Sequence, residues 1–174
     1  MGTGIIVCGL NGSGKSTLGK ALADALGFHF IDNEDLYFPK TDPNYMYAVQ
    51  RTQEEVEKLL MDEVRQYGDF VFAAVKGNYG EDIIPFYKYA VLIEVPREVR
   101  LERVRKRSYN KFGDRMLKGG DLYEREKAFF ELVGSRSERL AEDWVKTLKC
   151  PIIRVDGTKP IEENVEVVVE QIRI

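Results

Sequence analysis

The chain has 174 residues and a mass of 20.0 kDa, with 44% hydrophobic residues, 32% charged residues and a net charge of −3. This length fits one compact domain over residues 1–174, and the apolar content excludes intrinsic disorder as the main state. No apolar run approaches the ~18 residues of a membrane span, and the N-terminus lacks the pattern of a secretory signal. Two cysteines cannot make a disulfide framework. We therefore expect a cytoplasmic protein with no membrane partner.

Short apolar runs alternate with helical patterns along the chain. Strands are predicted at residues 4–9, 28–31, 70–75, 89–95 and 152–155. Helices are predicted at 15–26, after a Thr52–Glu55 capping box, from Arg97, at 122–133, at 137–148 and from Pro160. Apolar strands separated by helices are typical of a parallel sheet covered on both faces. The least regular regions, 33–51 and 108–121, are long for connections, which favours binding loops or a lid there.

The strongest functional signal is the segment Gly9-Leu10-Asn11-Gly12-Ser13-Gly14-Lys15-Ser16, which matches the phosphate-binding pattern G-x-x-x-x-G-K-[ST] in full. Glycines let the backbone wrap a polyphosphate with its N–H groups pointing inward, and the next helix aims its N-terminus at the same charge. Lys15 is expected between the β- and γ-phosphates of ATP, and Ser16 on Mg²⁺. The predicted nucleotide-binding residues are Gly9, Asn11, Gly12, Ser13, Gly14, Lys15, Ser16 and Thr17.

A basic segment lies in the second half of the chain. Residues 97–118 contain nine Lys or Arg and three acidic residues, a local charge of +6 in an acidic chain. Such a segment favours a focused anion site over a broad nucleic-acid surface, so we do not expect a nucleic-acid partner. A solvated helix face is the alternative interpretation.

Acidic residues at the end of the second strand are the next candidates, because ligands of parallel sheets bind beyond the carboxyl ends of the strands. Asp32 follows that strand directly and could hold Mg²⁺ or accept the proton of an attacking hydroxyl. Asp35 could do the same three residues later. The alternative for each is a helix cap or a solvated loop acid.

With the phosphate-binding segment and the elements above, the sequence resembles the superfamily of nucleoside-monophosphate kinases and shikimate kinases, of which adenylate kinase is the familiar member. Residues 31–35 look like the acidic D-x-D region of shikimate- and gluconate-kinase-like enzymes, Arg103–Arg107 stand where these kinases begin their lid, and 155–160 resemble the loop that passes the adenine ring. The resemblance implies a three-layer α/β P-loop fold with strand order 2-3-1-4-5, a substrate-binding insertion at about 33–68 and a helical lid at about 108–121.

The resemblance also implies roles for single residues. Arg51 would clamp an anionic acceptor, or be a surface arginine, and Gly77 would let the acceptor approach the third strand, or simply make a turn. Arg107 and Arg115 flank the lid, which we expect to be mobile without nucleotide, and would neutralise the transferring phosphoryl group. The predicted sets are Lys15, Asp32, Arg107 and Arg115 for catalysis, Asp35, Arg51 and Gly77 for the acceptor, and Ser16 and Asp32 for the metal.

These observations predict an ATP-dependent phosphotransferase with a small-molecule acceptor. Residues 76–80 match neither the Asp-Gly of adenylate kinases nor the glycine triplet of shikimate kinases, so the acceptor is left open. The alternatives are a regulatory ATPase or nucleotide switch acting on a protein partner, and a kinase for the 5′-hydroxyl of a polynucleotide. Both a monomer and a dimer are compatible with the sequence.

Overall fold

The computed structural model describes residues 2–172, and its centre is a five-stranded parallel sheet. The strands run in the spatial order β2-β3-β1-β4-β5, and every neighbouring pair is parallel. This confirms the predicted fold class and strand order. The bounds are β1 Gly4–Cys8, β2 His29–Asp32, β3 Phe70–Ala74, β4 Tyr87–Glu94 and β5 Ile152–Asp156.

Seven α-helices connect or flank these strands within the described residues. They are α1 Lys15–Leu26, α2 Asn33–Tyr37, α3 Gln53–Tyr67, α4 Arg97–Phe112, α5 Tyr123–Ser135, α6 Leu140–Val145 and α7 Ile161–Gln171, with short 3₁₀ turns at Ile84–Phe86 and Gly113–Met116. None of these helices is both long and apolar enough to cross a bilayer.

The sheet is apolar on both faces, which is why its central strands read as continuous hydrophobic runs. All residues of β1 and β3 are buried. On one face Ile6 and Phe72 pack with α3 through Leu60, and on the other Ile5 packs with α1 through Leu22. This double burial fixes β1 in the middle of the sheet, and its carboxyl end therefore delivers the next residues to a rigid edge.

Local signals explain how the helices begin and end. The capping box that opens α3 is complete, since Thr52 accepts from the backbone N–H of Glu55 and the Glu55 carboxylate accepts from the N–H of Thr52. Gly27 ends α1 in the left-handed conformation with φ 69°, as its position in the sequence predicts.

Three predicted boundaries are corrected. The region 33–51 is not wholly irregular, because Asp32 caps α2 by accepting the N–H of Glu34 at 2.9 Å. The region 108–121 is helical or 3₁₀ up to Met116, because α4 continues past the buried Ser108 and ends only before Gly113, whose φ is 58°. The helix predicted at 137–148 is shorter, Leu140–Val145.

Candidate active site

The phosphate-binding loop joins the end of β1 to the start of α1, as the pattern predicts. Within residues 2–172, no acceptor lies on the backbone N–H groups of Gly12, Gly14, Lys15, Ser16 and Thr17. Gly12 and Gly14 have φ of 81° and 89°, and a β-carbon on Gly12 would lie 2.4 Å from the carbonyl oxygen of Arg100. The loop therefore needs glycine at these positions, and it presents a row of unpaired donors to an anion.

Two arginines of α4 hold the opposite side of this loop. The guanidinium of Arg100, which is 3% exposed, donates to the carbonyl of Asn11 at 3.2 Å and forms an ion pair with Glu138 at 2.6 Å. Arg103 donates to the carbonyls of Gly12 at 3.3 Å and Gly157 at 3.0 Å. Two arginines of the basic segment therefore hold the loop backbone through hydrogen bonds. Neither the anion site nor the solvated helix face, the two interpretations of this segment, predicted that role.

Lys15 lies in an environment that is unfavourable for its own charge. Its ammonium makes no hydrogen bond or ion pair within the described chain, and burial lowers its pKa to about 8, with the charge of Arg107 acting in the same direction and Asp32 opposing it. Lys15, Asp32 and Arg107 are thus close enough to interact electrostatically. A polyanion bound to the loop would supply the counter-charge that Lys15 lacks.

The structure adds Arg136, which the sequence analysis missed. Its guanidinium donates to the side-chain oxygen of Asn11 at 2.7 Å, and its charge also lowers the pKa of Lys15. Arg136 stands 125 positions after Asn11, just beyond α5, and no motif surrounds it. It brings another cation to the phosphate-binding loop.

Oxygen ligands of the kind that Mg²⁺ prefers lie beside the loop. One carboxylate oxygen of Asp32 accepts the N–H of Glu34, and the other has no partner within residues 2–172. The hydroxyl of Ser16 has no partner there either. One hydroxyl and one carboxylate oxygen fit a magnesium ion that takes its remaining ligands from nucleotide phosphates and water.

A cavity of about 260 Å³ lies between the segment after α2 and the helices α4 and α5. We call it the aromatic pocket, because five of its lining residues are Phe38, Tyr45, Tyr47, Phe112 and Phe129. Arg107 lines this pocket and also acts on the pKa of Lys15, so the pocket adjoins the phosphate-binding loop. Its position fits that of a second substrate.

Charged groups on one wall of the aromatic pocket are already paired. Glu34 accepts from the hydroxyl of Tyr47 at 2.9 Å and from the ammonium of Lys40 at 3.0 Å. Burial opposes ionisation of Glu34, but the charge of Lys111 and these hydrogen bonds outweigh it, so the pKa of Glu34 lies below its usual value. Lys111 donates to the Tyr47 hydroxyl, and partial burial lowers the pKa of Lys111.

Two residues predicted for the acceptor lie at the edge of this pocket rather than in its lining. Asp35 is exposed and pairs with Lys40 at 2.7 Å. The guanidinium of Arg51 donates to the backbone carbonyls of Asp35 at 3.1 Å and Leu36 at 2.9 Å, so it holds the end of α2. Their roles toward an acceptor stay predictions, and the geometry favours Glu34 over Asp35 for contact with the pocket.

Gly77 and Arg115 are also engaged elsewhere. The carbonyl of Gly77 accepts the hydroxyl of Tyr87 at 2.9 Å, and a β-carbon on Gly77 would lie 2.8 Å from the Trp144 ring. Close packing is therefore sufficient to require glycine there. Arg115 pairs with Asp121 at 2.8 Å and donates to the carbonyl of Asn44 at 2.7 Å. Arg107, in contrast, makes no hydrogen bond or ion pair in the part of the chain that the structure describes.

The low pKa of Lys15 predicts how nucleotide affinity depends on pH. Bound phosphates favour the ammonium form, so the affinity for ADP should be steady up to about pH 8, where the free protein loses this charge, and fall above it. The largest slope is about tenfold per pH unit, because one proton is taken up on binding. Calorimetric titration with ADP and Mg²⁺ between pH 7 and 9.5 measures this. A flat profile would contradict the assignment, and Lys15→Arg, which keeps its charge, should remove the slope.

Comparison with known proteins places this site in a family. A family model described as "AAA domain" matches residues 5–130. An uncharacterized Bacillus subtilis protein, YqaC, is 27% identical over 95% of both chains. An adenylate kinase isoenzyme 6 homolog from Caenorhabditis elegans is 29% identical over 95% of this chain and 87% of its own. A shikimate kinase from Chlamydia pneumoniae is 38% identical over 47% of this chain and 40% of its own.

Solved structures share the architecture. A gluconokinase from Sinorhizobium meliloti superposes with a TM-score of 0.53 at 20% identity, covering 97% of this chain and 90% of its own. A shikimate kinase from Aquifex aeolicus superposes with a TM-score of 0.51 at 22% identity, covering 97% and 94%. These likenesses concern the fold alone. The family model and the curated relatives, together with this shared fold, confirm the resemblance to the P-loop kinases of the nucleoside-monophosphate and shikimate kinase type.

Proposed function

The chain belongs to the AAA domain family, and we propose that it transfers the γ-phosphate of ATP to a hydroxyl group of a small molecule. The observation that carries the proposal is the position of Arg107, which lines the aromatic pocket and acts electrostatically on Lys15. Transfer between two substrates requires that their binding sites meet, and a residue that acts at both the phosphate-binding loop and a second pocket meets this requirement. The kinase names of several relatives support the same reaction class.

In this proposal the unpaired N–H groups of the loop bind the β- and γ-phosphates, and Lys15 neutralises the charge between them. The acceptor oxygen forms a bond to the γ-phosphorus while the bond from that phosphorus to the bridging oxygen of ADP breaks. The free oxygen of Asp32 would take the hydroxyl proton. Arg107 and Arg136 stabilise the charge that spreads over the transferring group.

A metal ion completes the site in this proposal. Ser16 and Asp32 would hold Mg²⁺, which when bound neutralises charge on the β- and γ-phosphates. Because only one oxygen of Asp32 is free within residues 2–172, Asp32 would reach the metal through a water molecule if that oxygen takes the hydroxyl proton. Its capping bond to Glu34 keeps the other oxygen fixed in place.

The proposal is tested by measuring ADP release by the full chain with ATP, Mg²⁺ and a panel of hydroxyl compounds, followed by ³¹P NMR of the product. The panel begins with gluconate, shikimate and AMP, which the names of the relatives suggest, and continues with neutral and cationic alcohols. We expect ADP release to depend on one compound and to yield its phosphate ester.

Two other results would replace the proposal. ADP and inorganic phosphate formed slowly and without dependence on any acceptor would favour the ATPase or switch. Transfer to the 5′-hydroxyl of an oligonucleotide alone, with affinity that falls steeply with salt, would favour the polynucleotide kinase.

A further inference from the structure

We infer that the acceptor is a small molecule with a flat unsaturated ring and a cationic or hydrogen-bond-donating group, and that Glu126 binds this group in the aromatic pocket. The inference rests on the proposed function, because it assigns the aromatic pocket to the acceptor. It is carried by three separate observations, namely the burial of Glu126 with a single hydrogen bond, the pairing of the nearby cations, and the arrangement of the aromatic rings.

Glu126 is a buried carboxylate with almost no partner. It lies on α5, lines the pocket and is 2% exposed. Its one hydrogen bond within residues 2–172 comes from the hydroxyl of Tyr45 to Oε1 at 3.3 Å, and no protein donor reaches Oε2 there. A carboxylate removed from water is costly unless a donor or a cation pairs with it. The pocket is where a ligand could supply that donor.

Apart from Arg107, the cations that the structure describes near the pocket are occupied, so an anionic acceptor would find no other free partner among them. Lys111 donates to the Tyr47 hydroxyl and lies 3.9 Å from Glu34. The guanidinium of Arg125 lies over the Tyr45 ring at 5.1 Å. Arg107 is the exception among the described lining residues, and its charge acts on Lys15 as well as on Lys111 and Tyr47. Charge complementarity therefore favours a donor or a cation at the Glu126 end.

The rings form a connected cluster suited to a flat ligand. Phe112 lies 5.4 Å from the Tyr45 ring and 6.2 Å from the Tyr47 ring, and Phe38 lies 5.0 Å from Tyr47. Aromatic faces favour stacked or edge-on rings and attract cations. The volume of about 260 Å³ is below the roughly 300–1,000 Å³ of pockets for drug-sized ligands, which favours a ligand smaller than a typical drug molecule.

Three probes test this on the unaltered protein. Tyramine, tyrosol and 4-hydroxyphenylacetate share a hydroxyphenyl ring and differ in carrying an ammonium, a hydroxyl or a carboxylate. Their binding to the full chain saturated with ADP and Mg²⁺ is measured by ligand-observed NMR. We expect tyramine to bind about tenfold more tightly than 4-hydroxyphenylacetate, because only its ammonium can form an ion pair with the Glu126 carboxylate, whereas the carboxylate of 4-hydroxyphenylacetate is repelled by it. Tyrosol should lie between them.

A matched pair of variants locates the effect. Glu126→Gln should weaken tyramine binding about tenfold. Glu124→Gln, at an exposed position of the same helix, should change it less than about twofold. ADP binding by each variant shows that it is folded, and the ranking of the three probes on the unaltered protein decides the matter if Glu126→Gln does not fold.

The inference is overturned if 4-hydroxyphenylacetate binds as tightly as tyramine, if neither tyramine nor tyrosol binds, or if folded Glu126→Gln binds tyramine normally. Its failure is separable from failure of the proposed function, because binding needs no phosphoryl transfer. A protein that phosphorylates gluconate, which has no ring, would keep the proposed function and lose this inference.

Discussion

Replacing Lys15 with alanine is expected to lower the rate of phosphoryl transfer by roughly 10³-fold and to weaken ATP binding. In the proposed function this ammonium neutralises the phosphates, and it has no partner in the described protein that could hold it elsewhere. Steady-state rates with the acceptor found in the screen measure the loss. Thermal unfolding should be little affected or slightly improved, since the charged form is disfavoured in the nucleotide-free fold.

Lys20→Ala is the matched control for this change. Lys20 lies on the same helix, is exposed, and among residues 2–172 pairs only with Asp24, at 2.6 Å. Its removal should alter turnover by less than about twofold. Turnover that survives Lys15→Ala would show that the phosphate-binding loop does not carry the reaction.

Replacing Arg107 with glutamine is expected to lower kcat by about 10²-fold, with a smaller rise in KM for ATP, because the contact strengthens as charge develops on the transferring group. The sequence predicts a similar loss for Arg115. The structure favours a smaller one, since Arg115 would first have to leave Asp121 and the carbonyl of Asn44. Comparing Arg107→Gln with Arg115→Gln separates the two views.

Lys106→Gln controls for charge removal from α4, because Lys106 is exposed and makes no hydrogen bond within residues 2–172. Equal losses at Arg107 and Arg115 would show that the pair with Asp121 opens when the nucleotide binds, as a closing lid requires. Losses below about twofold at both would favour the solvated helix face for this part of the basic segment.

The phosphate-binding loop could be predicted because its signal is local. The geometry of the loop can be predicted from eight consecutive residues, with an apolar strand before them and an amphipathic helix after them, and it does not depend on distant residues. The strand order came from the resemblance, since five apolar strands of similar length do not by themselves specify their neighbours. The short helix α2 was missed because five residues are too few to show a helical period.

The remaining parts of the candidate site depend on distant partners. Arg136 reaches Asn11 across 125 positions, and Glu126 reaches Tyr45 across 81. Arg100 was counted in a basic segment, and only the fold shows that its guanidinium is buried against Glu138 and the loop. Contacts of this kind depend on how helices and strands pack against each other, and this packing cannot be predicted from a single sequence.

The central position of β1 has a consequence for synthesis on the ribosome. Gly4 pairs with Phe70 on one side and with Tyr87 on the other, so the first strand made is held by strands that are translated much later. Until β4, which ends at Glu94, has left the ribosome, the nascent chain contains the phosphate-binding sequence but lacks one of the two strands that flank β1. Nucleotide can therefore assist folding only after more than half of the protein has been made, and until then the apolar β1 segment lacks a partner strand that would bury it.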